Sequence, residues 1–215
     1  MKSNRGFTLL ELMTALAITS MLVAMLFAAF NQASRAWTSA EKRVDTFQTG
    51  RAVLDLMTRD LAQTFTSTRP LARFAGVSSN RMDFIAAIGG SSNTDLSAVS
   101  YEFVPGATIG SLVRWYYPGW NPTIPVSFTQ SNDLTDATVL DCTFTYTYYD
   151  TNLVSHTSYN VTNAPAAIQI SLRMLDQKSA KLYASLPVGS AAAVNIAREN
   201  ARQFSTLVYI PVGAR

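Results

Sequence analysis

The fold is decided by residues 6–30, which read GFTLLELMTALAITSMLVAMLFAAF. From Phe7 to Phe30 the only ionisable side chain is Glu11, and neither Gly nor Pro interrupts the run. As a helix it would be ~36 Å long, which is sufficient for a hydrocarbon core of ~30 Å. The sequence therefore predicts a membrane-spanning helix at the N-terminus.

The charges beside this run predict its orientation. Lys2 and Arg5 precede it, and the next charged residue after it is Arg35. The positive-inside rule therefore leaves the short N-terminus in the cytoplasm and predicts that everything after residue 30 is exported.

Three interpretations compete for the segment: a cleaved secretory signal, a plain membrane anchor and a more specialised anchor. A secretory signal has an apolar centre of about 7 to 15 residues, and this run is longer. Glu11 favours the third interpretation, because a carboxylate in a spanning helix costs ~2.5–3.5 kcal/mol near the bilayer centre and is by default functional. Glu11 therefore needs a partner.

Composition excludes several classes of function. The chain has 215 residues, of which 48% are hydrophobic and 14% charged, so it is neither disordered nor fibrous. Its basic residues are scattered, which indicates no nucleic-acid surface. A single cysteine, Cys142, and a single histidine, His156, argue against a disulfide, most metal sites and most catalytic triads. We expect no cofactor, no metal, no small-molecule substrate and no catalytic residue.

The order Gly6-Phe7-Thr8-Leu9-Leu10-Glu11, after a short basic leader and before an apolar helix, resembles the class III signal of type IV pilins and type II secretion pseudopilins. The resemblance implies that a prepilin peptidase in the inner membrane cuts between Gly6 and Phe7, and that the new amine of Phe7 is methylated. Glu11 then becomes the fifth residue of the mature chain. Its carboxylate lies one helical turn from that cationic amine and can pair with an amine of its own or, as the family implies, an adjacent subunit.

The helical pattern continues beyond the membrane segment. Apolar residues from Ala33 through Trp37 and Leu54 to Phe65 recur at helical spacing and predict a stripe that packs on the following domain. Arg51, Asp55 and Arg59 stand at i, i+4 steps and predict a ladder of opposite charges. Gly50 is a candidate bend, and the stretch 64–70, closed by a proline, ends the helix.

Beyond residue 80 the period changes to two. Alternating segments predict strands at 81–86, 99–104, 112–117, 142–148, 167–173 and 205–210, and a short helix is predicted at 191–203. The fold class is α+β: a long N-terminal helix packed on an antiparallel β-sheet head, as in pilins. We expect a leader at 1–6, a transmembrane helix at 7–30, an amphipathic continuation at 31–68 and a periplasmic head at 69–215.

Two further stretches resemble one subfamily. The run 51–63, which includes Arg59-Asp60-Leu61, is similar to the J-type minor pseudopilins of type II secretion, and the aromatic strand 144–150 followed by Pro165 and an aliphatic strand resembles the same group. This resemblance implies a structural subunit that joins other minor and major pseudopilins at the tip of a short filament, anchored in inner-membrane lipid. A W-type minor pilin, or a pilin-like protein of another system, stays open because 152–163 lacks the Trp residues of the subfamily.

Three other groups of residues are better explained by packing or turns than by a functional site. Cys142 and His156 lack a third catalytic group, so we expect a packed cysteine. Asp133 and Asp136 lack the Gly and Glu of a calcium loop and predict a solvated turn. The aromatic residues from Trp115 to Trp120 predict packing, with a partner surface as the alternative. A membrane-anchored periplasmic enzyme or binding module is the rival from another class.

Overall fold

A computed structural model describes residues 8–64, 75–76, 78–88, 96–118, 130–149, 154–158 and 165–210. It begins with one long helix, α1 (Leu9–Ala62), as the sequence predicts. Nine strands and two short helices follow: β1 (Ala75–Gly76), β2 (Arg81–Ala86), β3 (Ser97–Val104), β4 (Ser111–Pro118), β5 (Gln130–Asp133), β6 (Val139–Tyr149), β7 (Ser155–Ser158), β8 (Ala167–Met174), α2 (Gln177–Ala184), α3 (Ala191–Asn200) and β9 (Arg202–Tyr209). The fold class is α+β, with the layout expected of a pilin.

The chain divides into two compact units, Met1–Val44 and Asp45–Arg215. In the first unit the described residues are helical from Leu9 onward, and the side chains at 8–38, 40, 41 and 44 are exposed. The second unit contains the end of α1 and all nine strands.

The strands form two antiparallel sheets. The first has the order β1-β2-β3-β4-β5 and the second the order β7-β6-β8-β9. Because side chains alternate between the two faces of a strand, every second residue of β6 and β8 points into the core. Inward residues such as Phe144 and Ile170 are fully buried, whereas Gln169 and Arg173 are exposed.

The last three turns of α1 supply part of this core. Val53, Leu54, Met57 and Leu61 are buried in the same apolar cluster as the inward residues of both sheets. The predicted stripe is therefore confirmed at Leu54, Met57 and Leu61, and it includes Val53, which the sequence analysis missed. Its earlier part was wrong, because Trp37 and Val44 are exposed, and Phe65 lies outside the described residues. Burial of such side chains contributes roughly 1.5–3 kcal/mol each, which fixes this part of the helix to the head.

Gly50 has a different role from the one predicted. The helix continues through Gly50. A Cβ atom added there would lie 2.7 Å from the ring of Phe204, which itself meets Phe47 edge-on with ring centroids 5.6 Å apart. Gly50 therefore admits the Phe204 ring of β9 to the helix surface.

Other predictions are corrected in detail. Arg51, Asp55 and Arg59 form no ion pair within 4.0 Å, so the charge ladder was wrong; their exposed side chains extend into solvent instead. All six predicted strands are present, β2 with its predicted ends and the other five with shifted ends. Helix α3 confirms the helix predicted at 191–203 in its first ten residues. The sequence analysis missed β1, β5, β7 and α2. Strand β1 has only two residues, and the other three elements are short and mostly polar.

Candidate functional site

The predicted cleavage point and methylation site, Gly6 and Phe7, lie outside the described residues. Glu11, the predicted assembly residue, lies in the first turn of α1. Its side chain is exposed, as are its neighbours in the helix.

Thr8 and Glu11 cap the start of this helix reciprocally. The backbone N–H of Glu11 donates to Thr8 Oγ1 at 3.3 Å, and the backbone N–H and hydroxyl of Thr8 each donate to Glu11 Oε2 at 3.4 Å. This is a capping box, in which two otherwise unpaired helix N–H groups gain side-chain acceptors. The sequence signal was present as Thr-x-x-Glu at the start of an apolar run. Sequence reasoning missed it because Glu11 was considered only as a buried charge.

The hydroxyl groups in the apolar part of α1 bond to the helix itself. Thr14 Oγ1 donates to the carbonyl of Glu11 at 3.0 Å, Thr19 Oγ1 to that of Ala15 at 2.8 Å, and Ser20 Oγ to that of Ala17 at 2.8 Å. A free hydroxyl is costly in hydrocarbon, and bonding back to a carbonyl three or four residues earlier removes that cost. These side chains are therefore compatible with lipid.

The segment Leu9–Thr38 is long and apolar enough to cross a membrane. An 18-residue stretch of it has a mean hydropathy of 2.2, and none of that stretch is buried in the protein. Its large apolar side chains are exposed, for example Leu9, Leu16 and Phe27. Exposure of so many large apolar side chains is typical of a surface that contacts lipid or other helices.

A buried polar network that the sequence analysis missed fixes the end of α1 in the head. Asp60 is only 4% exposed, and its Oδ2 accepts from the Tyr101 hydroxyl at 2.6 Å and from Arg114 Nε at 2.8 Å. A carboxylate removed from water requires such charge-assisted partners. Asp60 stands three residues after Met57, on the buried face of α1, and a charge on that apolar face was the available sequence signal.

The pKa values in this network have clear causes. Burial and the charge of Asp60 raise the pKa of the Tyr101 hydroxyl, which stays protonated and donates. Burial acts to lower the pKa of Arg114, but the charge of the Asp60 carboxylate and the hydrogen bond to it act in the opposite direction; the pKa is raised and the guanidinium stays charged. This network has a structural role, because it bonds the end of α1 to strands β3 and β4.

Cys142 and His156 do not form a catalytic pair. Cys142 is buried in β6, and burial raises the pKa of its thiol to about 12, so no thiolate nucleophile exists at neutral pH. His156 stacks on Tyr148 with ring centroids 5.4 Å apart. Tyr148 is six residues along β6 from Cys142, so about 20 Å separates the side chains of Cys142 and His156. The prediction of a packed cysteine is confirmed.

Asp133 and Asp136 form a turn, as predicted. Asp133 Oδ1 accepts from the backbone N–H groups of Thr135 and Asp136 at 2.9 and 3.1 Å. Within the described parts of the chain no three His, Cys, Asp or Glu side chains are grouped to hold a metal ion.

The aromatic residues of β4 are half-buried. Trp115 Nε1 donates to Glu102 Oε2 at 3.2 Å, and the Tyr116 hydroxyl shares a hydrogen bond with Ser97 Oγ at 3.1 Å. Trp120 lies outside the described residues. The prediction of packing is confirmed for Trp115 and Tyr116, and their use as a partner surface stays a prediction.

Comparison with known proteins gives one match. The model of a family described as the prokaryotic N-terminal methylation motif matches residues 1–27. This match supports a type IV pilin-like protein, the class in which prepilin peptidase processes the subunits and the subunits assemble with one another without catalysing a reaction. The chain matches no curated protein and no solved structure.

Proposed function

We propose that this protein is a minor pseudopilin: a non-catalytic subunit that assembles with other pseudopilins at the tip of a short type II secretion filament. Residues 1–6 form the leader, 7–30 the transmembrane helix, 31–68 its continuation and 69–215 the periplasmic head. The mature chain crosses the inner membrane once, with its N-terminus in the cytoplasm.

The single observation that carries this proposal is the methylation motif at residues 1–27, which coincides with a helix able to span a membrane. A motif has weight when it occurs in the structural context that its mechanism requires. The peptidase acts at a membrane border, and in the sequence the Gly6–Phe7 bond stands immediately before the apolar part of α1.

In this proposal Gly6 and Phe7 form the cleavage site, and Phe7 carries the methylated amine. The capping box gives the Glu11 carboxylate two donors within its own chain while the subunit stands alone in the membrane. Both contacts are long, at 3.4 Å, so a cationic amine can replace them at little cost. Glu11 then sets the register of assembly by pairing with an amine.

The assignment to the J-type subfamily rests on the resemblance of the run 51–63 and of the aromatic strand 144–150 followed by Pro165 and an aliphatic strand. Two residues of the first run have structural roles: Leu61 is fully buried in the core, and Asp60 binds Tyr101 and Arg114. A minor type IV pilin of the W type, or a pilin-like protein of another system, uses the same anchor and remains the alternative. A membrane-anchored periplasmic enzyme or binding module is the second alternative, and it would keep residues 1–6.

Processing is tested by measuring the N-terminus of the protein isolated from its own membrane. We expect a chain that begins at a methylated Phe7, and a Gly6→Leu variant that keeps the leader. A native chain that begins at Met1 would remove the basis of the proposal, as would normal cleavage of the Gly6→Leu variant.

Assembly is tested with Glu11→Ala, using Glu41→Ala as the matched control because Glu41 is an exposed acid on the same helix beyond the apolar core. We expect Glu11→Ala to be cleaved normally but to retain far less of the partner pseudopilins in a pull-down, whereas Glu41→Ala retains them. Equal retention by the two variants would contradict the role of Glu11.

A further inference from the structure

The exposed edge of β9 is a surface that the anchor and the core do not use. The described strands form two sheets with four edge strands in all: β1, β5, β7 and β9. Three of them are short, with two, four and four residues, whereas β9 has eight. A long edge strand presents a row of unpaired backbone groups to which another strand can pair.

The hydrogen-bond pattern identifies which backbone groups face outward. Strands β8 and β9 pair in unbroken register from Ala167↔Tyr209 to Met174↔Arg202, and the next pair in that register shows Ile210 N–H donating to the carbonyl of Ala166 at 3.0 Å. In an antiparallel pair a residue directs its N–H and C=O to the same side, and successive residues alternate. The even-numbered residues of β9 therefore bond to β8. The N–H and C=O groups of Gln203, Ser205, Leu207 and Tyr209 point to the open edge.

The edge lacks the features that normally prevent strand addition. Natural edge strands are blunted by Lys, Pro, inward charges or bulges. In β9 the only charge is Arg202 at its first position, no proline is present, and the register with β8 has no bulge.

The outward side chains at the far end of β9 are apolar. Leu207 is 50% exposed and Tyr209 is 73% exposed, and both stand on the outer face of the sheet beside the open edge. An added strand would place its own side chains directly across from them at about 4.5–5.5 Å, where aromatic and aliphatic pairs are stabilising.

We propose that β9 accepts a β-strand from the head of a neighbouring pilin-like subunit, which extends the sheet β7-β6-β8 beyond β9. This inference rests on the proposed function, because the assembly of such subunits is what brings a second head to this edge. The added strand pairs through the outward groups of Gln203 to Tyr209 and covers Leu207 and Tyr209 with apolar side chains. Main-chain bonds give affinity, and those two side chains give specificity.

A photo-crosslinking amino acid at Tyr209 tests the surface in the full-length chain in its native membrane. Val188 is the matched control position, because it is also 73% exposed and lies between α2 and α3 rather than in a strand. We expect position 209 to cross-link to a different protein whose own sequence begins with a prepilin-type motif, identified by mass spectrometry, and position 188 not to. A cross-link between two copies of this chain, equal products at both positions or no product at 209 would each overturn the inference.

A second comparison separates backbone pairing from side-chain contact. Leu207→Pro removes an outward N–H while leaving the bonds to β8, and Leu207→Ala removes the side chain but keeps the N–H. We expect Leu207→Pro to lower the amount of partner subunit recovered in a pull-down roughly tenfold. Leu207→Ala should lower that amount less. Equal effects would refute strand addition.

These outcomes are distinguishable from failure of the proposed function. If the wild-type chain recovers pilin-like partners and Leu207→Pro recovers them equally well, the edge is not used but the assembly role stands. If the wild-type chain recovers none, the proposed function itself is refuted.

Discussion

Tyr101→Phe should destabilise the head more than the removal of a tyrosine hydroxyl that bonds to a neutral group. The Tyr101 ring is fully buried and its hydroxyl donates to Asp60 Oδ2 at 2.6 Å. Phenylalanine keeps the shape of the ring, so the change removes one hydrogen bond and creates almost no cavity. Arg114 remains at 2.8 Å from the same oxygen.

The expected magnitude follows from the charge of the acceptor. A hydrogen bond to a charged group contributes about 1.5–3 kcal/mol, and one between neutral groups about 0.5–1.5 kcal/mol. Tyr116→Phe is the matched control, because the Tyr116 hydroxyl bonds at 3.1 Å to the neutral hydroxyl of Ser97 within the same strand pair, β3 and β4. At ~2–4 °C per kcal/mol for a chain of this size, a loss of ~2 kcal/mol lowers Tm by ~4–8 °C, against ~2–4 °C for the control.

The assay is thermal unfolding of the full-length protein in detergent micelles, followed by near-ultraviolet circular dichroism. A Tm decrease for Tyr101→Phe no larger than that for Tyr116→Phe would refute the reasoning. A double-mutant cycle with Asp60→Asn provides an independent check, since residues in one network should show a coupling free energy of about 1 kcal/mol or more.

Two other substitutions test the packing of the core. Gly50→Ala should destabilise the wild-type chain, because the new Cβ meets the Phe204 ring at 2.7 Å, but should stabilise a Phe204→Ala background by up to ~1 kcal/mol through helix propensity; the same sign in both backgrounds, measured by urea unfolding, would contradict this. For Cys142 the folded pKa of about 12 exceeds the unfolded value of 9.0, so the unfolded chain loses its proton first and stability falls as pH rises above 9. Cys142→Val should remove about 1 kcal/mol of the stability loss between pH 8 and 10 in urea unfolding, and an unchanged loss would show that the thiol is not buried.

Elements with strong periodicity could be predicted from the sequence. The apolar run after Gly6 predicts the start of α1, and the alternation in Arg81–Ala86 predicts β2 with its observed ends. The missed strands β5 and β7 contain no apolar residue. They exist because neighbouring strands offer backbone partners, which a local pattern cannot reveal. Helix α2 had a local signal, Asp176, whose side chain accepts from the N–H groups of Lys178 and Ser179.

The candidate site was predictable to a similar degree. Glu11 was identified because a carboxylate in an apolar run is costly. Its bonds to Thr8 form a capping box, which also occurs at the start of ordinary helices and therefore did not mark a functional site. The partners of Asp60 lie 41 and 54 residues away in sequence, so only the folded chain identifies them. Gly50 was interpreted as a local weakness because Phe204 is distant in the chain.

The back-bonded hydroxyls of α1 affect how this helix can move among neighbours. The hydroxyls of Thr14, Thr19 and Ser20 each donate their hydrogen bond to a carbonyl of the same helix. From Thr14 to Ser20 a neighbouring helix in a bilayer would therefore find no free hydroxyl donor on any azimuth of α1. In the proposed anchor, contacts along this stretch then depend on the shape of apolar side chains, and the carboxylate of Glu11 is the polar group that can fix the depth of the helix.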